Sequence, residues 1–181
     1  DIAYRLDAAD VKLLIAIDDP FVVEQVEEAR RDGARACPLA LADGTRPGWA
    51  DYCAGVEQSP DDYVIYPDHH VRDQMLIYFT TGMPKMVVHD FSYPLGHIVT
   101  AKYWQQVQNG GLHLTGVDSG WAKFGWGCIY GQWLAGSAML GYDGDNKFSA
   151  RRMIEVIRTY RPTTVCVPGT IYRFMMKEGL T

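Results

Sequence analysis

The chain has 181 residues and a formal net charge of -5, with 22 acidic and 17 basic side chains interspersed along its length. This length allows one domain or a large part of one, and an apolar fraction of 48% is ordinary for a globular protein. The basic residues form no block or stripe, which excludes an electrostatic footprint for nucleic acid, and the longest apolar runs are far too short to span a membrane.

The first ten residues are charged and amphipathic, so we expect no secretory signal at this end. The four cysteines, Cys37, Cys53, Cys128 and Cys166, form no C-x-x-C pair and match no zinc-site spacing. We therefore expect a cytoplasmic protein with four reduced, structural cysteines and no metal site built from them.

Strand-like and helix-like segments alternate along the chain. In chain order, the pattern predicts a strand at residues 11–17, a helix between Pro20 and Gly33, a strand at 36–41, a short helix near 49–54, a strand at 75–79, a turn at 80–85, a helix at 86–108, a strand at 112–115, a helix at 121–136, a strand at 138–142, a helix between Ser149 and Pro162, a strand at 164–167 and a helix at 170–178. Strands that alternate with helices indicate crossover connections and a mainly parallel sheet. We therefore predict the α/β fold class, with these elements forming part of a doubly wound sheet.

Two of the predicted helices have clear start signals. Asp19 can cap the first, and Pro20 follows at the first helical position, where the fixed backbone angle of proline is favourable. Ser149 can cap the second in the same way. The apolar faces at helical spacing are formed by Val22, Val26 and Ala29 in the first helix and by Met153, Val156, Ile157 and Tyr160 in the second.

Residues 78–89 carry the most informative chemistry of the sequence. A strand runs into a turn that contains two hydroxyls, a glycine and a lysine, and then into the predicted helix. This pattern suits a polyphosphate, because turn N–H groups and hydroxyls donate to phosphate oxygens, lysine supplies positive charge and glycine permits close approach. An ordinary turn with a surface lysine explains the segment equally well. A Walker loop is excluded because G-x-x-x-x-G-K-[ST] is absent.

The sequence Thr-Gly-Met-Pro-Lys at residues 81–85 resembles the second half of the phosphate loop of the adenylate-forming superfamily, Thr-Ser-Gly-Thr-Thr-Gly-x-Pro-Lys. Residues 78–80 resemble the approach to that loop. A Ser-Gly-Thr triplet of the signature has no counterpart between Thr80 and Thr81. Either the loop is truly shortened, which would impair ATP binding, or three of its residues are unobserved.

Further blocks resemble acyl-CoA synthetases of the short- and medium-chain type. They cover residues 111–115, 118–123, 126–136 and 148–173. In the last block, Val-Pro-Gly-Thr-Ile-Tyr-Arg stands where the family usually has Ala-Pro-Pro-Thr-x-Tyr-Arg. The resemblance is strong over residues 75–180 and weaker over 1–73. It identifies residues 1–181 as a partial AMP-binding domain, an internal part of the large N-terminal domain of such an enzyme.

The resemblance implies an AMP-forming acid–CoA ligase. ATP and a small carboxylate would give an acyl-adenylate and pyrophosphate, and coenzyme A would then form the thioester, with Mg²⁺ sharing the charge of the phosphates. By position, the β- and γ-phosphates of ATP would be held by Thr80, Thr81, Gly82, Pro84 and Lys85. The acyl side of the pocket would be lined by Trp121, Trp126 and Trp133, for which packing in the core is the competing interpretation.

Several motifs of the family are not found in this sequence. They are the Tyr-Gly-x-Thr-Glu segment that contacts adenine and metal, the ribose-binding Asp, and the small C-terminal lid domain with its catalytic lysine. Catalysis by proximity needs the whole constellation, so we expect a fragment without turnover, whose catalytic residues are unknown from this sequence.

Two alternatives stay open for the function. One is a non-catalytic fold fragment with at most weak phosphate binding. The other is an adenylating enzyme that passes its acyl group to a carrier protein or a luciferin-like acceptor. An incomplete sheet would also leave an exposed edge, which favours self-association.

Three weaker patterns have ordinary structural interpretations. Residues 125–131 nearly match the dinucleotide motif G-x-G-x-x-G, but the third glycine is one place late. Residues 143–147 begin like a calcium loop but place a lysine where an oxygen ligand belongs. The adjacent His69 and His70 would point to opposite faces of an extended chain and lack a ligand set. We expect helix-start packing for His89.

Overall fold

The computed structural model describes residues 1–62, 68–144 and 148–180, and the chain divides into two compact units. The first unit comprises Asp1–His69 and Leu76–Val88, and the second comprises His70–Met75 and His89–Thr181. Each unit has its own cluster of buried apolar side chains. Within the described residues, no helix is both long enough and apolar enough to cross a membrane.

The first unit is built around a three-stranded parallel sheet in the order β1-β2-β3. Its elements are α1 (Ile2–Ala8), β1 (Leu14–Ala16), α2 (Pro20–Arg31), β2 (Leu39–Leu41), β3 (Ala50–Asp51) and α3 (Tyr52–Glu57). It also contains residues 76–79 of β4 (Gln74–Phe79) and 86–88 of β5 (Met86–Asp90), two strands that pair with each other. Helix α1 has no counterpart in the sequence prediction. The predicted strands at 11–17 and 36–41 are present as shorter strands.

Helix α2 begins where the sequence predicts. The carboxylate of Asp19 accepts hydrogen bonds from the backbone N–H groups of Phe21 and Val22, at 2.9 and 3.1 Å, so the cap is real. The predicted apolar face is wrong at one position, because Val22 is only half-buried and Val23 is buried instead. The buried residues Val23 and Val26 pack with Leu41 of β2, which fixes the helix against the sheet.

The prediction of a helix over residues 86–108 is wrong at both ends. Residues 86–90 form strand β5, and their two adjacent valines explain the difference, since β-branched side chains are restricted in helices and favoured in strands. Helix α4 (Tyr93–Val99) starts only after Asp90, with a proline in its first turn. A π-helical segment, Thr100–Trp104, continues it, and the helical conformation ends there.

The second unit contains a three-stranded parallel sheet in the order β7-β6-β8, with β6 in the centre. After α4 and the first π-helical segment, its elements are β6 (Leu112–Thr115), α5 (Ala122–Phe124), a second π-helical segment (Gly125–Ile129), α6 (Tyr130–Leu134), β7 (Ala138–Leu140), α7 (Ala150–Tyr160), β8 (Thr164–Cys166) and α8 (Gly169–Lys177). The strand predicted at 112–115 is confirmed with the same bounds.

Helix α7 covers one side of this sheet. Its cap is confirmed, because the hydroxyl of Ser149 accepts from the backbone N–H of Arg152 at 3.3 Å. Met153 is buried in a cluster with residues of β6 and α8, and Val156 and Ile157 pack against that cluster. Tyr160 is 57% exposed and does not belong to the buried face, because the helix ends at this residue.

The cysteines all carry free thiols. Cys128 is a buried residue of the second π-helical segment, and burial raises the pKa of its thiol, which keeps it protonated and unreactive at neutral pH. Cys53 is exposed and donates to the carbonyl oxygen of Ala42 at 3.1 Å. Of the segments with weaker patterns, His69 and His70 are exposed, and residues 145–147 of the calcium-like segment lie outside the described residues.

The contact between α4 and α6 depends on a glycine. A Cβ atom placed on Gly131 of α6 would lie 2.2 Å from the carbonyl oxygen of His97 in α4. Atoms of a real structure do not approach this closely, so the absence of a side chain at Gly131 allows the two helices to pack. Gly96 of α4 differs, because a Cβ placed there meets nothing within 4 Å.

These two glycines give a matched pair of substitutions. We expect Gly131→Ala to lower the free energy of unfolding by about 1–3 kcal/mol, because the added methyl group must push α4 away from α6. Gly96→Ala should be neutral or stabilising by up to about 1 kcal/mol, since alanine favours a helix interior. Urea unfolding followed by circular dichroism measures both, and equal midpoints for the two variants would contradict this packing.

Candidate functional site

The predicted phosphate-binding segment is the turn between β4 and β5. Six residues, 80–85, connect the two paired strands. A connection this short cannot make a parallel crossover, so the strands form an antiparallel hairpin. The backbone N–H of Thr80 donates to the carbonyl oxygen of Lys85 at 3.0 Å, and the backbone N–H of Lys85 donates to the Thr80 hydroxyl oxygen at 2.9 Å. These two bonds close the turn at its base.

The tip of this turn presents hydrogen-bond donors to solvent. Thr81, Gly82 and Met83 are exposed, and within residues 1–62, 68–144 and 148–180 their backbone N–H groups donate to no protein acceptor. Gly82 has a φ of +78°, a left-handed conformation that glycine adopts without strain. Exposed N–H groups on successive turn residues are the kind of donors that bind anions.

Lys85 adds a positive charge beside these donors. Its side chain is exposed, and no carboxylate in the described part of the chain lies within ion-pairing distance of its ammonium group. The charge is therefore available to a ligand. The hairpin brings together all five residues predicted for phosphate binding, Thr80, Thr81, Gly82, Pro84 and Lys85, but it follows the turn with a strand, so no helix N-terminus contributes to the donor set.

A second group of interest is an aromatic cluster in the second unit, formed by His89, Tyr93, His97, Trp104, Trp126 and Tyr130. The ring of Trp126 stacks on His97, with centroids 5.7 Å apart and planes at 20°, and lies 5.8 Å from Trp104. Both tryptophans lie on π-helical segments, a conformation that is rare and often found at functional sites. Tyr93 contacts three further rings of the cluster, those of His89, His97 and Tyr130.

One histidine of this cluster, His97, is uncharged at neutral pH. Burial lowers the pKa of His97, and the nearby His89 lowers it further by charge repulsion. The Nδ1 atom of His97 lies 3.2 Å from the hydroxyl of Thr100, which holds the ring in place. The rings of Trp104, Trp126 and the neutral His97 therefore form a largely apolar group of side chains, suited to contact an apolar ligand.

Sequence reasoning found only one member of the aromatic cluster, Trp126. The structure places Trp121 before α5 and Trp133 on α6, where they are 59% and 58% exposed. Sequence reasoning missed Trp104, which contacts Trp126, 22 positions further along the chain. The pair Tyr93 and His97, four residues apart on one helix face, was the signal that could have located part of the cluster.

A buried polar network ties the two π-helical segments to the sheet. The carbonyl oxygen of Gly127 lies 3.0 Å from Nε2 of His113 and accepts from the Thr115 hydroxyl at 2.6 Å and from Nε2 of Gln105 at 3.0 Å. The other ring nitrogen of His113 lies 2.7 Å from the hydroxyl of Thr164 in β8. A neutral ring satisfies both sides when Nε2–H donates to the carbonyl and Nδ1 accepts from the hydroxyl.

The pKa of His113 follows from this environment. The ring is fully buried, and burial lowers its pKa below the ordinary value of 6.5, against the smaller raising effect of the bond to Gly127. The folded protein therefore holds His113 neutral at pH values where the unfolded chain would begin to protonate it.

This difference predicts a pH dependence of stability. Between the lowered folded-state pKa and about 6.5, the unfolded chain binds more protons than the folded one, so stability rises with pH and is lost as pH falls below about 6.5. The lowered pKa of His97 likewise makes stability fall as the pH falls below about 6.5. We expect the urea midpoint to fall from about pH 7 to about pH 5, and His113→Gln to shrink that difference. An unchanged pH difference in His113→Gln would contradict this assignment.

The described residues do not form a site for a resident metal ion. Within the described ranges, no group of three or more His, Cys, Asp or Glu side chains lies close enough to hold one. Mg²⁺ is commonly bound by one or two carboxylates together with substrate phosphates. Mg²⁺ therefore does not fit as an ion held by these residues alone.

Comparison with known proteins decides the family. The model of the family described as "AMP-binding enzyme" matches residues 1–181. The chain belongs to this family. It is 28% identical over 190 residues to the acyl-coenzyme A synthetase ACSM5, mitochondrial, of Homo sapiens, a match that covers 100% of this chain and 31% of the relative. It is 32% identical over 180 residues to 4-hydroxybutyrate--CoA ligase 1 of Metallosphaera sedula, covering 96% of this chain and 30% of the relative.

Solved structures of the family share the fold of the chain. The Brucella canis acyl-CoA synthetase has a TM-score of 0.78 at 17% identity, and the match covers 98% of this chain and 32% of that one. The anthranilate CoA ligase AuaEII, in complex with anthranoyl-AMP, has a TM-score of 0.74 at 16% identity, over 90% of this chain and 32% of that one. These likenesses confirm the predicted α/β fold class. The chain spans about a third of the length of the relatives it matches.

Proposed function

We propose that the chain is part of the large N-terminal domain of an ATP-dependent acid–CoA ligase. In this reaction the carboxylate attacks the α-phosphorus of ATP to give an acyl-adenylate and pyrophosphate, and the coenzyme A thiolate then displaces AMP to give a thioester. The observation that carries the proposal is the β4–β5 turn, whose three backbone N–H groups at residues 81–83 and whose lysine ammonium group have no partner among the described residues. The names of its relatives, which are acyl-CoA synthetases and a CoA ligase, support the same reaction.

In this proposal the turn holds the β- and γ-phosphates of ATP. The backbone N–H groups of Thr81 and Gly82 donate to phosphate oxygens, and the ammonium group of Lys85 offsets the charge that develops on the pyrophosphate leaving group. The hydroxyl of Thr80 donates its proton to a phosphate oxygen while its own oxygen accepts from the backbone N–H of Lys85. Pro84 restricts the backbone where the chain enters β5. Mg²⁺ would arrive with the nucleotide and supply further positive charge there.

Trp121, Trp126 and Trp133 are proposed to contact the acyl group of the substrate. Trp126 has the strongest support, because it belongs to an uncharged aromatic cluster with Trp104 and His97. Aromatic faces of this kind contact alkyl chains and rings favourably. Titration with octanoate should therefore perturb the fluorescence of the wild type more than that of Trp126→Phe, and identical curves would remove Trp126 from the proposal.

Three further parts of the proposal concern the isolated chain. We expect no turnover from these residues alone, because they span about a third of the length of their relatives.

The proposed location is the cytoplasm, although three relatives, from human, mouse and rat, are named as mitochondrial. The exposed side chains Leu13, Ile15 and Ile17 at edge strand β1 would favour self-association, which a monomer mass in light scattering would contradict.

The proposed phosphate site can be tested by calorimetric titration of the chain with ATP and Mg²⁺. We expect Lys85→Ala to weaken binding by about 10- to 100-fold, the range expected for a lost hydrogen bond to a charged group. The control Lys177→Ala removes an exposed lysine at the end of α8 and should bind as the wild type does.

Other outcomes of the titration, or of an assay of the longer enzyme, would replace part of this proposal. No heat from the wild type would favour the non-catalytic fragment. Binding that survives Lys85→Ala would assign the phosphates to another site. If the longer enzyme forms adenylate but no thioester with coenzyme A, an adenylating enzyme with a different acceptor would replace the CoA ligase.

A further inference from the structure

The hairpin turn is held from outside by helix α1, which sequence reasoning did not predict. The hydroxyl of Tyr4 in α1 donates to the carbonyl oxygen of Pro84 at 2.9 Å, across 80 positions of sequence. Pro84 is the residue immediately before Lys85. This is a hydrogen bond from a side chain of the first unit to the backbone of the turn within the same unit.

Helix α1 also contacts the other end of the turn. The ring of Tyr4 packs edge-on against Phe79, with centroids 6.1 Å apart and planes at 75°. The guanidinium carbon of Arg5 lies 5.1 Å from the centre of the same Phe79 ring. Asp1 holds that guanidinium group through two hydrogen bonds, of 2.9 and 3.2 Å. Because Phe79 directly precedes Thr80, adjacent residues of α1 contact the chain on both sides of the turn.

The hydrogen bond to Pro84 has a specific geometric consequence. The peptide group between Pro84 and Lys85 is planar and trans, so its carbonyl oxygen and its N–H point in opposite directions. Tyr4 binds the oxygen at one edge of this plane. The N–H at the opposite edge donates to the hydroxyl oxygen of Thr80 at 2.9 Å, which is one of the two bonds that close the turn. Tyr4 therefore fixes the rotation of the peptide plane that the closing bond requires.

We propose that Tyr4 is a positioning residue for the polyphosphate-binding turn: its hydroxyl orients the peptide plane of Pro84 and Lys85 so that the turn is closed before the phosphates bind. The inference rests on the proposed function of the turn. Tyr4 itself does not contact the ligand. Without its hydroxyl, the peptide plane is held only through its N–H bond to Thr80, so the turn opens more often in the unbound protein and binding must order it at a cost in affinity.

The test uses the 181-residue chain and inorganic tripolyphosphate as the probe, because this ion presents linked phosphates without the nucleoside. Tyr4→Phe removes the hydroxyl and keeps the ring against Phe79. We expect the dissociation constant to rise about 3- to 10-fold, the effect of one ordinary hydrogen bond. The amide hydrogen of Lys85 should also exchange faster with solvent in the unbound variant, as measured by NMR. The matched control is Tyr172→Phe, which removes an exposed hydroxyl on α8 and should change neither quantity.

The readouts distinguish positioning from a general loss of structure. Tyr4→Phe should keep the circular dichroism spectrum and the exchange rates of amides in β6 and β8, because only the turn is released. If Tyr4→Phe binds tripolyphosphate as tightly as the wild type does, while Lys85→Ala loses binding, the positioning role is overturned and the phosphate site stands. If the wild type does not bind, or if Lys85→Ala binds equally well, both the proposed site and the positioning role are overturned.

Discussion

The carbonyl oxygen of Gly127 organises the second unit. It is the meeting point of His113 and Thr115 from the central strand and of Gln105, which directly follows the first π-helical segment. A buried polar group without a partner costs about 1–3 kcal/mol, so an arrangement that satisfies all of these groups excludes close alternatives. Because Gln105 follows Trp104 and Gly127 follows Trp126, the same network that fixes the backbone also sets the two tryptophan rings side by side.

The polar network around Gly127 and the β4–β5 turn differ in how their hydrogen-bonding groups are satisfied. In the second unit, His113, Thr115 and Gln105 use their donors and acceptors on the carbonyl oxygen of Gly127 and on other side chains, including those of Thr164 and Gln132. In the first unit, only the base of the β4–β5 turn is closed, by the bonds between Thr80 and Lys85, and the tip leaves its N–H groups to solvent. Water satisfies such groups in an exposed turn, so the arrangement costs little stability and leaves the donors free for an anion. The proposed binding chemistry is therefore compatible with a stable fold.

Local signals in the sequence predicted the helices with clear caps and the central strand. Asp19 and Ser149 cap the helices that they were expected to cap, because an N-cap depends only on the next few residues. The strand after the turn was missed, since helical spacing over residues 86–108 outweighed the β-branched pair at Val87 and Val88. Short apolar runs of this kind are ambiguous between helix and strand.

The sites were predictable to different degrees for the same reason. The five predicted residues of the turn lie within six consecutive positions, 80–85, so a motif resemblance identified all of them. The aromatic cluster and the contact from Tyr4 to Pro84 join residues far apart in sequence, and no local pattern encodes such pairs. Nor did the sequence indicate the π-helical segments, whose i→i+5 hydrogen bonds change the direction of the side chains that follow.

The central claim is that the β4–β5 turn is the segment that binds polyphosphate, and amide NMR of the isotope-labelled chain tests it most directly. Titration with tripolyphosphate should shift the amide resonances of Thr81, Gly82 and Lys85 in parallel and to the same saturation point. The resonances of β6 and β8 should stay in place, because their N–H groups are committed to the parallel sheet. Saturable shifts that appear elsewhere and leave the turn unmoved would contradict the account.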